Sequence, residues 1–212
     1  MKKVAVSLHA TENFDPFTIK NLNGIDYIHV DVMDGKFVEN KQDNLEVFKI
    51  LKENYDLPII GHMMVNEPLK YIEKVIEFID IYVFHYESEG DKDTIINELK
   101  KHKKKVGIAI NPDTAIVKIM PYLNKIDLIL IMSVYPGMSG QKFIWETPDK
   151  INLLFAYRHK NKMKFEIDVD GGVNPDNAKL INAEILTSAS AILKADDPNL
   201  VIQLLKVSED FD

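Results

Sequence analysis

Apolar residues along this chain gather into eight short runs, near residues 4–8, 26–32, 58–64, 80–85, 105–110, 127–134, 165–170 and 184–188, each rich in β-forming side chains. Between most of them lie stretches with helical apolar spacing, such as Leu45, Phe48, Ile50 and Leu51, or Tyr71, Ile72, Val75, Ile76 and Ile79, with Lys and Glu in between. Strands buried on both faces have this continuous apolar character, and their alternation with amphipathic helices predicts a parallel sheet. Eight such units predict an α/β fold of the (β/α)8, or TIM, barrel type, with an open doubly wound sheet as the alternative. The barrel is favoured by the strand count and by polar residues that collect at the C-terminal ends of several different strands. No linker, composition break, internal repeat or low-complexity segment interrupts the pattern, so residues 1–212 read as a single domain.

Three of the runs end in potential metal ligands. In His29-Val30-Asp31-Val32-Met33-Asp34-Gly35, residues two apart face the same side of a strand, so His29 and Asp31 point together towards its end, with Met33 one step beyond. A lone His-x-Asp is also how a structural hydrogen-bonded pair reads, so its partners decide the matter. Leu57 to Val65 carries His62, and Phe165 to Gly172 carries Asp170 ahead of a double glycine. His29, Asp31, His62 and Asp170 then form a four-ligand set for one divalent metal ion per chain, with room for substrate oxygens. Asp31 and Asp170, from separate strands, are also placed to act as two proton-transfer groups on opposite faces of a substrate.

Glycine-rich turns follow the sixth and seventh runs. Val134 to Gln141 contains Gly137, Ser139 and Gly140, and Asp170-Gly171-Gly172-Val173-Asn174-Pro175 opens a helix. Backbone N–H groups exposed there suit an anion, in the region where barrels often bind phosphate.

Charge and composition narrow the partners. The formal net charge is −7 and the only arginine is Arg158, which disfavours nucleic acid. The basic run Lys100 to Lys105 reads as the solvated end of a helix. Cysteine is absent, which excludes disulfides and thiolate metal sites, and no apolar stretch is long enough for a signal sequence or a membrane span. A cytoplasmic protein without a membrane partner is expected.

Taken together the motifs resemble the ribulose-phosphate 3-epimerase family of TIM barrels, through nearly the whole chain. Ser7 matches a serine on the family's first strand, and His29 to Val38 followed by Asn40 matches its most specific motif. His62-Met63-Met64-Val65 with Pro68, His85-Tyr86-Glu87, Gly107 to Thr114, Met132 to Gln141 with Phe143, and Asp170 to Asn174 follow in order. The resemblance implies a metal-dependent isomerase, using zinc, iron, manganese or cobalt, that converts D-ribulose 5-phosphate to D-xylulose 5-phosphate by two-base proton transfer through a metal-stabilised enediolate. It carries the ligands onto His29, Asp31, His62 and Asp170, and the acid/base pair onto Asp31 and Asp170. Ser7 and His62 would touch substrate, Met33, Met64 and Met132 would form an apolar collar, and Gly137, Ser139, Gly140, Gly171, Gly172, Ala189 and Ser190 would hold the phosphate. A homo-oligomer in carbohydrate metabolism is the corresponding expectation.

This chain departs from the family in three places. Tyr135 stands where asparagine is usual and Met138-Ser139 where Phe-Gly is usual; Ala189 replaces a phosphate-loop glycine; and Glu39 to Asp43 lacks the usual proline and glycine. Three rival readings are weighed. A decarboxylase or aldolase relative would carry lysine where Met33 stands. An allulose 6-phosphate 3-epimerase would share the ligands and differ in distal loops, and a catalytically silent sugar-phosphate-binding barrel would need no pair of opposed carboxylates.

Overall fold

The computed structural model describes residues 1–138 and 140–208. Its strands are β1 (Lys3–His9), β2 (Tyr27–Asp34), β3 (Lys41–Gln42), β4 (Ile59–Met64), β5 (Ile81–His85), β6 (Lys105–Ile110), β7 (Leu128–Met132), β8 (Glu166–Asp170) and β9 (Ile185–Ser188). All but β3 pair in parallel, and β1 bonds to both β2 and β9, so eight staves close into a (β/α)8 barrel. The two-residue β3 runs antiparallel to the end of β2.

Among the described residues seven α-helices accompany them: α1 (Glu46–Asn54), α2 (Leu69–Val75), α3 (Lys92–Lys101), α4 (Thr147–Lys160), α5 (Pro175–Ala178), α6 (Ser190–Leu193) and α7 (Pro198–Lys206). Turns alone join β1 to β2. Between β6 and β7 the chain makes two 3₁₀ turns, Ile116–Lys118 and Met120–Tyr122. Pro121 lacks the N–H that a longer helix there would need. Among the described residues no helix is long and apolar enough to cross a membrane.

Alternation along the staves divides the core in two. Val4, Val6, Ile28, Val30 and Val32 face the helices within the larger apolar cluster, whereas Ala5, Tyr27, Ile60, Val83, Leu130 and Met132 fill the barrel interior. His29, Asp31 and Met33 follow Tyr27 at two-residue steps on the interior side. Register then sets the neighbours: Asp31 lies beside His62, Met33 beside Met64 and Asp170 beside Met132.

At the N-terminal end the staves are fastened in pairs. An acid just ahead of one stave accepts an N–H at the start of the preceding stave and donates its own N–H to the same residue's carbonyl. Asp26 does this with Val4 (2.8 and 2.8 Å), Asp80 with Ile59 (2.9 and 2.9 Å), Asp127 with Val106 (2.9 and 2.8 Å) and Glu184 with Ile167 (2.8 and 3.1 Å). The floor is thus four latched units: β1–β2, β4–β5, β6–β7 and β8–β9. One apolar-acid pair per unit (Ile25-Asp26, Ile79-Asp80, Ile126-Asp127, Ala183-Glu184) is too brief to register as a sequence repeat. Arg158 is bound at this end, bidentate to Glu184 at 2.9 and 2.6 Å and donating to the Phe165 carbonyl at 2.7 Å.

Candidate metal centre and reaction cavity

At the other end, β2, β4 and β8 bring His29, Asp31, His62 and Asp170 together, one ligand atom from each lying within 4.8 Å of the rest. His62 Nδ1 is 2.8 Å from Asp31 Oδ1 and 3.2 Å from His29 Nε2, which is itself 3.1 Å from Asp31 Oδ1. Asp170 Oδ2 stands 3.7 Å from His29 Nε2 and 3.6 Å from His62 Nδ1. A cation with bonds of about 2.0–2.3 Å spaces its ligand atoms roughly 2.8–3.8 Å apart, from right angles to tetrahedral ones, so these separations fit one ion. The donor set agrees: two imidazole nitrogens and two carboxylates suit a divalent transition metal. Both imidazoles are fully buried and Asp31 is nearly so. Ser7 steadies Asp31 from behind, its hydroxyl donating to Oδ2 at 2.8 Å and leaving Oδ1 for the cluster.

Crowding displaces the titrations. Burial alone would depress the His29 imidazole, yet the Asp31, Asp170 and Asp168 carboxylates outweigh it and hold it up at about 9. Burial brings His62 down to about 4, with the His85 and His29 charges adding to it and Asp31 opposing. Burial would raise Asp31, but His29 and His62 keep its carboxyl well below the usual carboxylate range. Asp170 is pushed up to about 8 by burial, against His29 and reinforced by Asp31 and Asp168.

Above the cluster opens a cavity of about 460 Å³. Asp31 and Asp170 stand in its wall beside Ser7, with Met33, Met64 and Met132 around them. Gly137, Gly140, Gly171, Gly172, Ala189 and Ser190 line it as well. Ser139 lies outside the described residues. Gly171 requires glycine twice over: its φ is +119°, and a Cβ there would come within 2.4 Å of Val134 Cγ2 and 2.9 Å of the Val134 nitrogen. Ala189, by contrast, has φ −112°, so the chain passes this point without the left-handed backbone that would demand glycine.

The departures in the β7 loop have local partners. Tyr135 places its hydroxyl 2.9 Å from both Asp113 carboxylate oxygens, and the Gln141 amide donates to the carbonyls of Met138 (2.8 Å) and Tyr135 (2.6 Å). Among the lining residues that sequence reasoning missed are His9, Thr187 and Lys194. His9 follows Ser7 at a two-residue step on β1, a same-face signal available in the sequence. Lys194 is the sole Lys or Arg among the described residues lining the cavity, and nothing in the sequence around it marks it out.

A sequence profile described as the ribulose-phosphate 3-epimerase family matches residues 3–193. The ribulose-phosphate 3-epimerase of Methanocaldococcus jannaschii is 36% identical over 186 residues, covering 86% of this chain and 79% of that protein. A chloroplastic ribulose-5-phosphate-3-epimerase of Arabidopsis thaliana is 38% identical over 194 residues, covering 89% of this chain and 69% of its own length. Among solved structures, 3-hexulose-6-phosphate synthase from Salmonella typhimurium superposes with a TM-score of 0.68 at 17% identity, covering 97% of both chains, a likeness of fold alone.

Proposed function

This chain belongs to the ribulose-phosphate 3-epimerase family, and from that premise we propose that it inverts C3 of a ketose phosphate, D-ribulose 5-phosphate to D-xylulose 5-phosphate. The observation that carries the reading is the convergence of two carboxylates, from the non-adjacent staves β2 and β8, on one cluster in the wall of a single cavity. Inversion beside a carbonyl needs a proton taken from one face and another returned to the opposite face. Asp31 takes the proton in one direction while Asp170 gives one from the other side, and the roles exchange in reverse.

His29, Asp31, His62 and Asp170 would hold one divalent ion, drawn from zinc, iron, manganese or cobalt, and such an ion supplies a Lewis acid that makes the proton beside the carbonyl easier to remove. Ser7 keeps Asp31 aimed at the reacting carbon through its 2.8 Å hydrogen bond. Met33, Met64 and Met132 give the reacting centre an apolar surround with no competing base. The phosphate lies at the glycine end of the cavity, between the Gly137 to Gly140 loop, the Gly171-Gly172 turn and Ala189-Ser190. Lys194 adds the charge that backbone amides lack.

The test is turnover of metal-loaded protein with ribulose 5-phosphate in heavy water, with allulose 6-phosphate alongside. Xylulose 5-phosphate carrying deuterium at C3 is expected. Asp170→Asn should abolish net epimerisation by at least about 100-fold, the lower range for losing a general acid or base. Faster turnover of allulose 6-phosphate would move the substrate to the longer sugar. Wild-type rates in Asp170→Asn would remove that carboxylate from the chemistry.

A further inference from the structure

The two imidazoles of the cluster are not equally supported from behind. Among the described residues His29 Nδ1 is buried without a hydrogen-bond partner, whereas His62 Nε2 lies 2.9 Å from Nε2 of His85, the last residue of β5. His85 Nδ1 in turn lies 3.3 Å from Glu87 Oε2. The other oxygen of Glu87 accepts the Asn111 N–H at 2.9 Å and the Thr114 hydroxyl. A line of polar groups therefore runs from the ligand cluster to the turn that follows β6.

Protons along this line are not free to choose their places. Glu87 accepts two donors at one oxygen, and as a carboxylate it offers only acceptor sites at the other, so His85 carries its proton on Nδ1 and presents a lone pair at Nε2. That lone pair faces His62 Nε2, which must then carry the proton, and His62 Nδ1 is left with its lone pair turned towards Asp31, His29 and Asp170. Without this line the opposite tautomer would win, because Asp31 Oδ1, only 2.8 Å from His62 Nδ1, is an excellent acceptor for a proton there. A proton on Nδ1 is incompatible with Nδ1 acting as a ligand.

We infer that His85 and Glu87 are positioning residues that set the tautomer of His62 and so make its Nδ1 a metal ligand; the inference rests on the metal-dependent reading above. Packing alone does not require this chemistry. His85 stacks on His62 with centroids 5.0 Å apart and meets Phe37 at 4.7 Å, contacts that other flat or apolar side chains would also make.

Glu87→Gln separates the two roles. An amide has one acceptor oxygen and one NH2 group. If its oxygen keeps Asn111 and Thr114, the NH2 faces His85 Nδ1, which must become an acceptor. The His85 proton then sits on Nε2 and donates to His62 Nε2, and the His62 proton moves to Nδ1. Each imidazole keeps one proton throughout, and only its position changes.

The experiment is chelator competition with zinc on the full chain, together with ¹⁵N imidazole spectra of the metal-free protein. Wild type is expected to place the His62 proton on Nε2 and the His85 proton on Nδ1. Glu87→Gln should reverse both and weaken zinc binding by about 10- to 100-fold, the usual range for a lost outer partner. His85→Gln, which restores an acceptor facing His62, should bind zinc more tightly than His85→Leu. Equal affinities in those two variants, unchanged affinity in Glu87→Gln, or a wild-type His62 protonated at Nδ1 would each overturn the proposal. The wild-type spectrum decides even if a variant does not fold. Neither readout involves sugar turnover, so failure here leaves the epimerase reading standing, and wild-type protein that binds no zinc would instead refute the metal centre.

Discussion

Asp170 and His29 illustrate what the cluster costs when only protons are available to it. With their carboxyl and imidazole pushed up to about 8 and about 9, both hold a proton at neutral pH that an incoming cation must displace. Zinc affinity is therefore expected to climb as pH rises from 7 to 9, with protons released on binding; calorimetry in buffers of different ionisation enthalpy counts them. Stability of the metal-free protein should run the other way. The His29 pKa lies above the unfolded value of about 6.5, so its contribution is full below that pH and lost as pH rises towards 9. Asp170 acts in the same direction, since its folded pKa also lies above the unfolded one of about 3.9. A melting temperature in chelator that rises between pH 6.5 and 9 would contradict both shifts.

At the level of elements, the site is a matter of what each stave carries at its end. Lys194 closes the single turn of α6 and stands exposed at the cavity's edge. Lys194→Ala is expected to raise the Michaelis constant for a phosphorylated ketose about tenfold, the loss of roughly 1.4 kcal/mol, with turnover little changed. An unchanged constant would place the phosphate away from this corner. The eight apolar runs were legible as staves because strands buried on both faces need unbroken apolar sequence, and His29, Asp31, His62 and Asp170 stood out by interrupting it. Lys194 was not legible, because its approach to the cavity depends on α6 stopping after one turn. His85 was visible only as part of a motif: its contact with His62 depends on β4 and β5 being neighbours, and adjacency appears only on folding. The 3₁₀ path between β6 and β7 was hidden likewise, since Ile116, Ile119 and Met120 keep an apolar spacing that a longer helix shares.

Across the whole molecule, the two ends of the barrel have separate duties. Ligands and glycine turns occupy the C-terminal end, and the acid latches with Arg158 and Glu184 occupy the floor. The latches join staves two by two, which bears on how the chain divides. A break at Lys103, in the turn between α3 and β6, leaves all four latches within one fragment or the other; a break at exposed Asn124 separates Val106 from Asp127. Co-expressed halves cut at Lys103 should therefore find each other and rebuild the barrel more completely than halves cut at Asn124. Zinc uptake reports the difference, because His29, His62 and Asp31 would travel on one half and Asp170 on the other. Equal recovery from both cuts would mean that the latches do not define the units of assembly. If Lys103 wins, this protein is a natural split reporter, silent as fragments and metal-binding only when two quarter-pairs meet.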